Sequence, residues 1–176
     1  KILLPGKANA DRWAEIHKTA HRMDIPTNCT LLYGHIESFE ERIEHLIRLR
    51  NIQDETGGFL AFIPLEYQVG MTKLRPRHTP AMDDLKMIAA ARLMLDNIKY
   101  IKSYWVMLGA ATASIGLNFG ANDLDGTIGK ERIAHAALAE SPAGQARESM
   151  ASSIRDARRI PVERDALYNE IKVYDH

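Results

Sequence analysis

One cysteine, Cys29, is the whole thiol content of this chain, so no internal disulfide can form, and a lone thiol fits a reducing compartment. No apolar run approaches the roughly 20 residues that span a bilayer. The first residues, KILLP, lack the charged and apolar regions of a secretory signal. The chain is therefore expected to be cytoplasmic, with no membrane partner. Neither sign of charge is in excess: 23 basic side chains balance 23 acidic ones, which leaves no field for nucleic acid. His17 and His21 stand four apart on an expected helix, but no glutamate follows His17 as in H-E-x-x-H. The pair reads as surface, and no metal site is expected.

What is present suffices for one core: 176 residues, 45% of them hydrophobic. The stretch TGGFLAFIPLEY, 56–67, organises the rest. Gly57 and Gly58 can stop a helix, and 59–63 is too short for a helix and apolar on both faces, the pattern of a parallel strand covered on both sides. Pro64 cannot donate a ladder hydrogen bond, so pairing is expected to loosen there. Before it, Trp13, Ile16, Ala20 and Met23 mark a helix, 28–33 a second strand, and Ser38 with Glu41 a capping box opening a helix to about Asp54. After it comes a basic loop holding Lys73, Arg75, Arg77 and His78. Thr79-Pro80 then opens a helix with Met82, Leu85, Ile88, Ala89 and Leu93 inward. SYWVML, 103–108, is the fourth β-rich run, Gly109 starts an alanine-rich helix, and GANDLDGT, 120–127, follows.

The βα alternation predicts an α/β fold: half of a (β/α)8 barrel, four parallel βα units over residues 1–127. Residues 128–176 form a helical extension packed on it. A doubly wound sheet is the rival, but no G-x-G-x-x-G loop appears. Ile2-Leu3-Leu4 reads as the tail of a strand, and the chain as a fragment. At the strand ends stand Lys7, then Tyr33 and His35, then Glu66 and Tyr67, then Asn122, Asp123 and Asp125 beyond the next short helix. On a barrel these ring one mouth. Each has a plain alternative: Lys7 solvated, Tyr33 packed, His35 a loop hydrogen-bonder, the Asn/Asp cluster a capped turn. Cys29, within a strand and far from any other thiol, reads as a buried structural residue.

The words TNCTLLYGHIE, HLIRLRNIQDETGGFLAFIPL, ARLMLDN, YWVMLG, GANDLDGT and RIPVERDALYNEI resemble the C-terminal half of the aminofutalosine synthases. These are radical S-adenosylmethionine enzymes of the futalosine route to menaquinone. The related cyclase and the deazaflavin-forming synthase share several of the words. Leu65, where the cyclase usually shows tryptophan, and RIPVERD lean toward the first. The resemblance implies a complete enzyme with S-adenosylmethionine and a [4Fe-4S] cluster as cofactors. In that enzyme a 5′-deoxyadenosyl radical adds to 3-[(1-carboxyvinyl)oxy]benzoate, a transferase reaction.

Cys29 cannot replace the three cluster thiolates, so this chain alone is expected to hold no cofactor and to be inactive. It would supply the substrate wall for a small molecule. Lys7, Tyr33, Glu66, Tyr67, Arg75, Arg77 and Asn122 are the expected substrate contacts, the cations for carboxylates; His35 and Asp125 are the expected catalytic groups. Met71 departs from relatives that have asparagine before the residue matching Thr72. With Leu31, Phe62 and Val106 facing inward, an isolated half barrel should pair as a homodimer or with a missing N-terminal half.

Overall fold

A computed structural model describes residues 6–69, 78–124 and 144–174. Asn9 opens α1 (Ala10–Arg22) by accepting from the Arg12 N–H at 2.8 Å, and Asp24, at φ 57°, turns the chain out of the helix. β1 (Thr27–Tyr33) follows. The Ser38–Glu41 capping box opens α2 (Phe39–Thr56), and Gly57, at φ 64°, closes it in the left-handed conformation. β2 (Phe59–Glu66), α3 (Ala81–Met94) and β3 (Tyr100–Ile101) complete a parallel sheet of order β1-β2-β3. Two short helices, α4 (Trp105–Leu108) and α5 (Ala110–Gly116), then α6 (Arg147–Asp156), precede an antiparallel hairpin of β4 (Val162–Arg164) and β5 (Glu170–Val173).

The mixed α/β class and the parallel sheet agree with expectation, but four βα units are not seen among the described residues. The expected strand 103–108 is not one. Its aromatic and branched residues make the α4 turn, which buries Trp105, Val106 and Leu108, and Gly109 at φ 77° separates it from α5. Such residues favour any half-buried site, not only a strand. The strand lies earlier, at Tyr100–Ile101, and its ladder extends into GANDLDGT. Lys102 bridges Asp123 in parallel, the Asn122 N–H donates to Ile101 and the Ser103 N–H to Asp123. The acidic loop therefore begins as a further ladder segment. Ile2-Leu3-Leu4 and the first part of the expected helical extension, 128–143, lie outside the described residues.

Pairing does not loosen at Pro64. β1 and β2 stay in register from Leu31 opposite Pro64 to Tyr33 opposite Glu66. The Phe62 carbonyl faces β3 and accepts from Lys102, so by the strand's period of two the Pro64 nitrogen also faces that side, beyond the end of β3. No ladder bond is lost. On helix α3, Leu85 and Ile88 face inward as expected, with Asp84, Met87 and Ala91, but Met82 and Leu93 are exposed. Alanine on every side of α3 leaves little amphipathic contrast to mark the phase.

Cys29, Leu31 and Tyr33 on β1 face the helices together with Phe62, Pro64 and Glu66 on β2, and the core gathers there with Leu46, Leu49, Ile88 and Trp105. Each such aliphatic side chain, fully buried, contributes roughly 1.5–3 kcal/mol. Leu31 and Phe62 thus face the helices, not inward as expected, and Val106 is buried in α4. The opposite face of the sheet is open, with Asn28, Thr30 and Leu32 exposed on β1.

His17 and His21 are not a surface pair. His21 is buried: its Nε2 lies 2.8 Å from the Thr27 hydroxyl and its Nδ1 2.6 Å from that of Thr56, while His17 Nδ1 meets the same Thr27 oxygen at 2.8 Å. Burial lowers both pKa values below the ordinary 6.5, and His21 lowers that of His17 further. The unfolded chain therefore takes up these protons first. The cluster's contribution is complete above the unfolded value and is lost as pH falls below it. Urea midpoints at about pH 7.5 and about pH 5.5 check this: acidification should cost the wild type more than His21→Asn, and equal losses refute it.

Candidate active site

The C-terminal edge of the sheet divides the expected residues between its two faces. On the helix side, Tyr33 is wholly buried and its hydroxyl donates to Asp84 Oδ1 of α3 at 2.8 Å, with the Arg42 guanidinium 5.2 Å from the ring centre. Glu66, its partner in the ladder, turns the same way. Its Oε1 accepts from the Thr79 N–H at 3.0 Å, just ahead of α3, and lies 3.4 Å from His78 Nδ1. Burial pushes the Asp84 carboxyl up to about 7, helped by Glu66 and resisted by the Tyr33 hydrogen bond. Burial also raises Glu66, against the Thr79 N–H and His78, and raises the Tyr33 hydroxyl. This is an interior hydrogen-bonded network of two carboxyls and a phenol, with Tyr33 in the packed role.

His35 is built into the turn after β1. Its Nε2 donates to the Leu32 carbonyl at 3.0 Å, and its Nδ1 accepts from the Ile36 N–H at 2.7 Å. Glu37 gathers the Gly34 and His35 N–H groups and the Arg42 side chain. Tyr67 donates its N–H to the Tyr33 carbonyl and meets the His35 ring edge-on at 5.9 Å. Asn122 has both ends of its amide engaged: Oδ1 accepts from the Ile101 N–H and from Arg92, and Nδ2 donates to the Lys99 carbonyl. Lys7 is exposed in the turn before α1. Arg75, Arg77 and Asp125 lie outside the described residues. Tyr33, His35, Glu66 and Tyr67 are thus brought together at one edge, while Lys7 and Asn122 stand apart from them.

The open face carries a second constellation. Ile63 and Leu65 of β2 alternate with the helix-facing residues, and Lys102, one residue past Ile101, falls on the same open side. Its Nζ lies 3.9 Å from Asp123 Oδ2, and both side chains are nearly buried, 7% and 11% exposed. The same oxygen accepts from Arg164 Nη2 at 2.5 Å and from the Tyr168 hydroxyl at 2.9 Å. Tyr168 stacks on Tyr100 at 3.8 Å, with Arg164 4.0 Å above its ring. The hairpin is therefore pinned to the open face through Asp123. Lys102 and Arg164 were not anticipated as site residues. The local signal for the lysine was its place between Ile101 and Ser103 in an apolar stretch; nothing local marks the arginine.

Cys29 is wholly buried and its thiol lies 3.6 Å from the Ala61 carbonyl, with burial pushing its pKa up. It has the structural role expected of it. Among the described residues no three His, Cys, Asp or Glu side chains group as metal ligands, and no helix is long and apolar enough to cross a membrane.

The profile of the CofH/MqnC C-terminal region matches residues 56–176. Aminodeoxyfutalosine synthase of Thermus thermophilus is 49% identical over 174 residues, covering 96% of this chain and 47% of the relative. The enzyme of the same name from Streptomyces coelicolor is 39% identical, over 98% of this chain and 48% of its own length. The 5-amino-6-(D-ribitylamino)uracil--L-tyrosine 4-hydroxyphenyl transferase of Methanothermobacter thermautotrophicus is 42% identical, over 97% of this chain and 48% of its own. The chain spans about half the length of these curated relatives. The chain belongs to the CofH/MqnC C-terminal family.

Proposed function

We propose that this chain is the substrate-binding half of a radical S-adenosylmethionine enzyme, an aminofutalosine synthase acting on 3-[(1-carboxyvinyl)oxy]benzoate. The observation that carries the reading is the 49% identity to the Thermus aminodeoxyfutalosine synthase over 96% of the chain. Ligands of parallel α/β folds bind at the C-terminal ends of strands, where the open face here presents Leu32, Ile63, Leu65 and Lys102. An apolar wall with one embedded cation suits an anionic aromatic substrate.

The cluster does not fit the thiols of this chain. Cys29 is the sole cysteine and sits wholly buried with a raised pKa, so the cluster and S-adenosylmethionine belong to the other half of the complete enzyme, and no step is assigned to them here. That half also closes the open face.

A second reading, the tyrosine 4-hydroxyphenyl transferase activity, is favoured by the 42% match to the Methanothermobacter protein. A hybrid enzyme separates the two. This chain replaces the matching half of the Thermus relative, and the hybrid is supplied with S-adenosylmethionine and either 3-[(1-carboxyvinyl)oxy]benzoate or tyrosine with ribitylaminouracil. Aminofutalosine from the first is the expected product. Product only from the second would favour the alternative, and none from either would refute the substrate-wall reading.

A further inference from the structure

The hairpin is pinned at Asp123 but does not close on helix α6. Among the described residues, α6, the hairpin and the chain from Ala121 to Leu124 border a cavity of about 540 Å³, a volume that suits a small molecule. Its walls are largely apolar: Met150 and Ile154 of α6 and Ile160 and Val162 at the start of the hairpin line it, with Tyr100. Ile160 and Val162 keep 69% and 39% of their surface exposed, so the fold leaves apolar area there for a ligand to cover. The charges of the lining nearly cancel. Arg147 pairs with Glu163 at 3.2 Å and Arg164 with Asp123 at 2.5 Å, while Lys99, 4.9 Å from the Tyr100 ring centre, acts on Glu170. Each carboxylate of the lining thus has a basic neighbour. Arg159 is the cation left over: it lines the cavity, and its side chain makes no hydrogen bond or ion pair with any described residue. Its backbone, by contrast, is fixed. Arg158, at φ 58°, turns the chain out of α6 so that the Arg159 N–H donates to the Ile154 carbonyl at 3.1 Å, and the Tyr174 N–H holds the Pro161 carbonyl at 2.9 Å. The guanidinium is presented from a rigid turn, and its planar fork matches a carboxylate.

We infer that the cavity between α6 and the hairpin is a binding site for an apolar-bodied carboxylate, whose anionic end pairs with Arg159 and whose body lies against Met150, Ile154 and Ile160. It is a second site. Tyr100, on its wall, opens β3 opposite Ala61 of β2, well short of the strand ends at Tyr33 and Glu66 where ligands of such sheets bind. The site therefore stands independently of the substrate-wall reading.

Sodium octanoate is the probe. In the chain carrying isotope-labelled methionine and isoleucine methyl groups, it should shift the Met150 and Ile154 resonances with half-saturation at about 1 mM or below. Octanol, which lacks the charge, and sodium acetate, which lacks the body, should each bind at least about tenfold more weakly. Arg159→Gln should weaken octanoate at least about tenfold with the thermal midpoint unchanged, whereas Arg155→Gln, which removes a neighbouring arginine outside the cavity, should leave it within about twofold. No shift at Met150 and Ile154 up to about 10 mM overturns the inference. So does octanol binding as tightly as octanoate, or equal losses from the two arginine variants, since either would mean an unselective surface. The hybrid enzyme should show the same shifts. Their loss there would mean that the other half fills the cavity, and would overturn the site; an inactive hybrid that keeps them would count against the substrate-wall reading alone.

Discussion

Replacing Asp84 by asparagine should stabilise the protein above neutral pH. The carboxyl's ordinary value of 3.8 is raised to about 7 in the fold, chiefly by burial. The unfolded chain therefore releases this proton first as pH rises. The stability tied to the protonated carboxyl is complete below the unfolded value, is lost as pH climbs through the folded one, and stays lost above it. The size of the shift corresponds to a loss on the order of 4 kcal/mol. Asp84 lies in the first turn of α3, where the helix dipole favours a negative charge by about 0.3–1 kcal/mol. That is too little to offset burial at 2% exposure beside Glu66 and Asp83.

Asparagine does not ionise, and its amide oxygen can still accept from Tyr33. Urea unfolding at about pH 8 should therefore show Asp84→Asn more stable by about 2–3 kcal/mol, with the gap closing toward about pH 4. Parallel curves for the two proteins across that range would show that Asp84 is ionised in the fold. Tyr33→Phe should cost about 1 kcal/mol at either pH through the lost hydrogen bond. It should couple to the Asp84 change in a double-mutant cycle.

The second large effect is expected at Gly58. A β-carbon there would stand 2.1 Å from Cγ of His21. The ring cannot step aside without giving up its contacts to Thr27 and Thr56. Overpacking typically costs about 1–3 kcal/mol and a lost hydrogen bond about 1 kcal/mol. Gly58→Ala is therefore expected to destabilise by about 3 kcal/mol, read as a fall in urea midpoint at constant slope. Its neighbour provides the control. Gly57 has φ 64° but open space around it, so Gly57→Ala should cost only the left-handed penalty of about 1–2 kcal/mol. Equal costs at both positions would mean that the His21 ring moves freely.

The parts of this fold legible in the sequence are those with local physical causes. Ser38 and Glu41 announce their helix because a capping box is a contact three residues long, and the apolar run of β2 can be nothing but a covered strand. The faces were legible too. In TNCTLLY, Asn28 and Thr30 alternate with Cys29, Leu31 and Tyr33, so Tyr33 at the strand end follows the apolar set into the core. Expecting its side chain at a mouth neglected that period. β3 was misplaced because Trp105 and Val106 satisfy the same burial in a helical turn. The Asp123 cluster was beyond local reading: Arg164 and Tyr168 come from a hairpin whose ladder, Val162 opposite Val173, carries few core residues of its own. Only the folded sheet says which carboxylate they meet.

The short reach of β3 has a consequence for how the protein keeps to itself. Among the described residues, no strand lies beside one flank of β2 above Phe62, although β2 is inside a sheet. A bare flank of this kind is a template on which another chain could add a strand and begin to aggregate. Pro64 blunts it, since the nitrogen facing that flank carries no hydrogen to offer. Gln68 closes more of it by donating through Nε2 to the Glu66 carbonyl and the Met107 carbonyl, a side chain standing in for the missing strand. The proline that a reading of the sequence takes for the end of pairing is instead a guard on the half-paired stretch of β2.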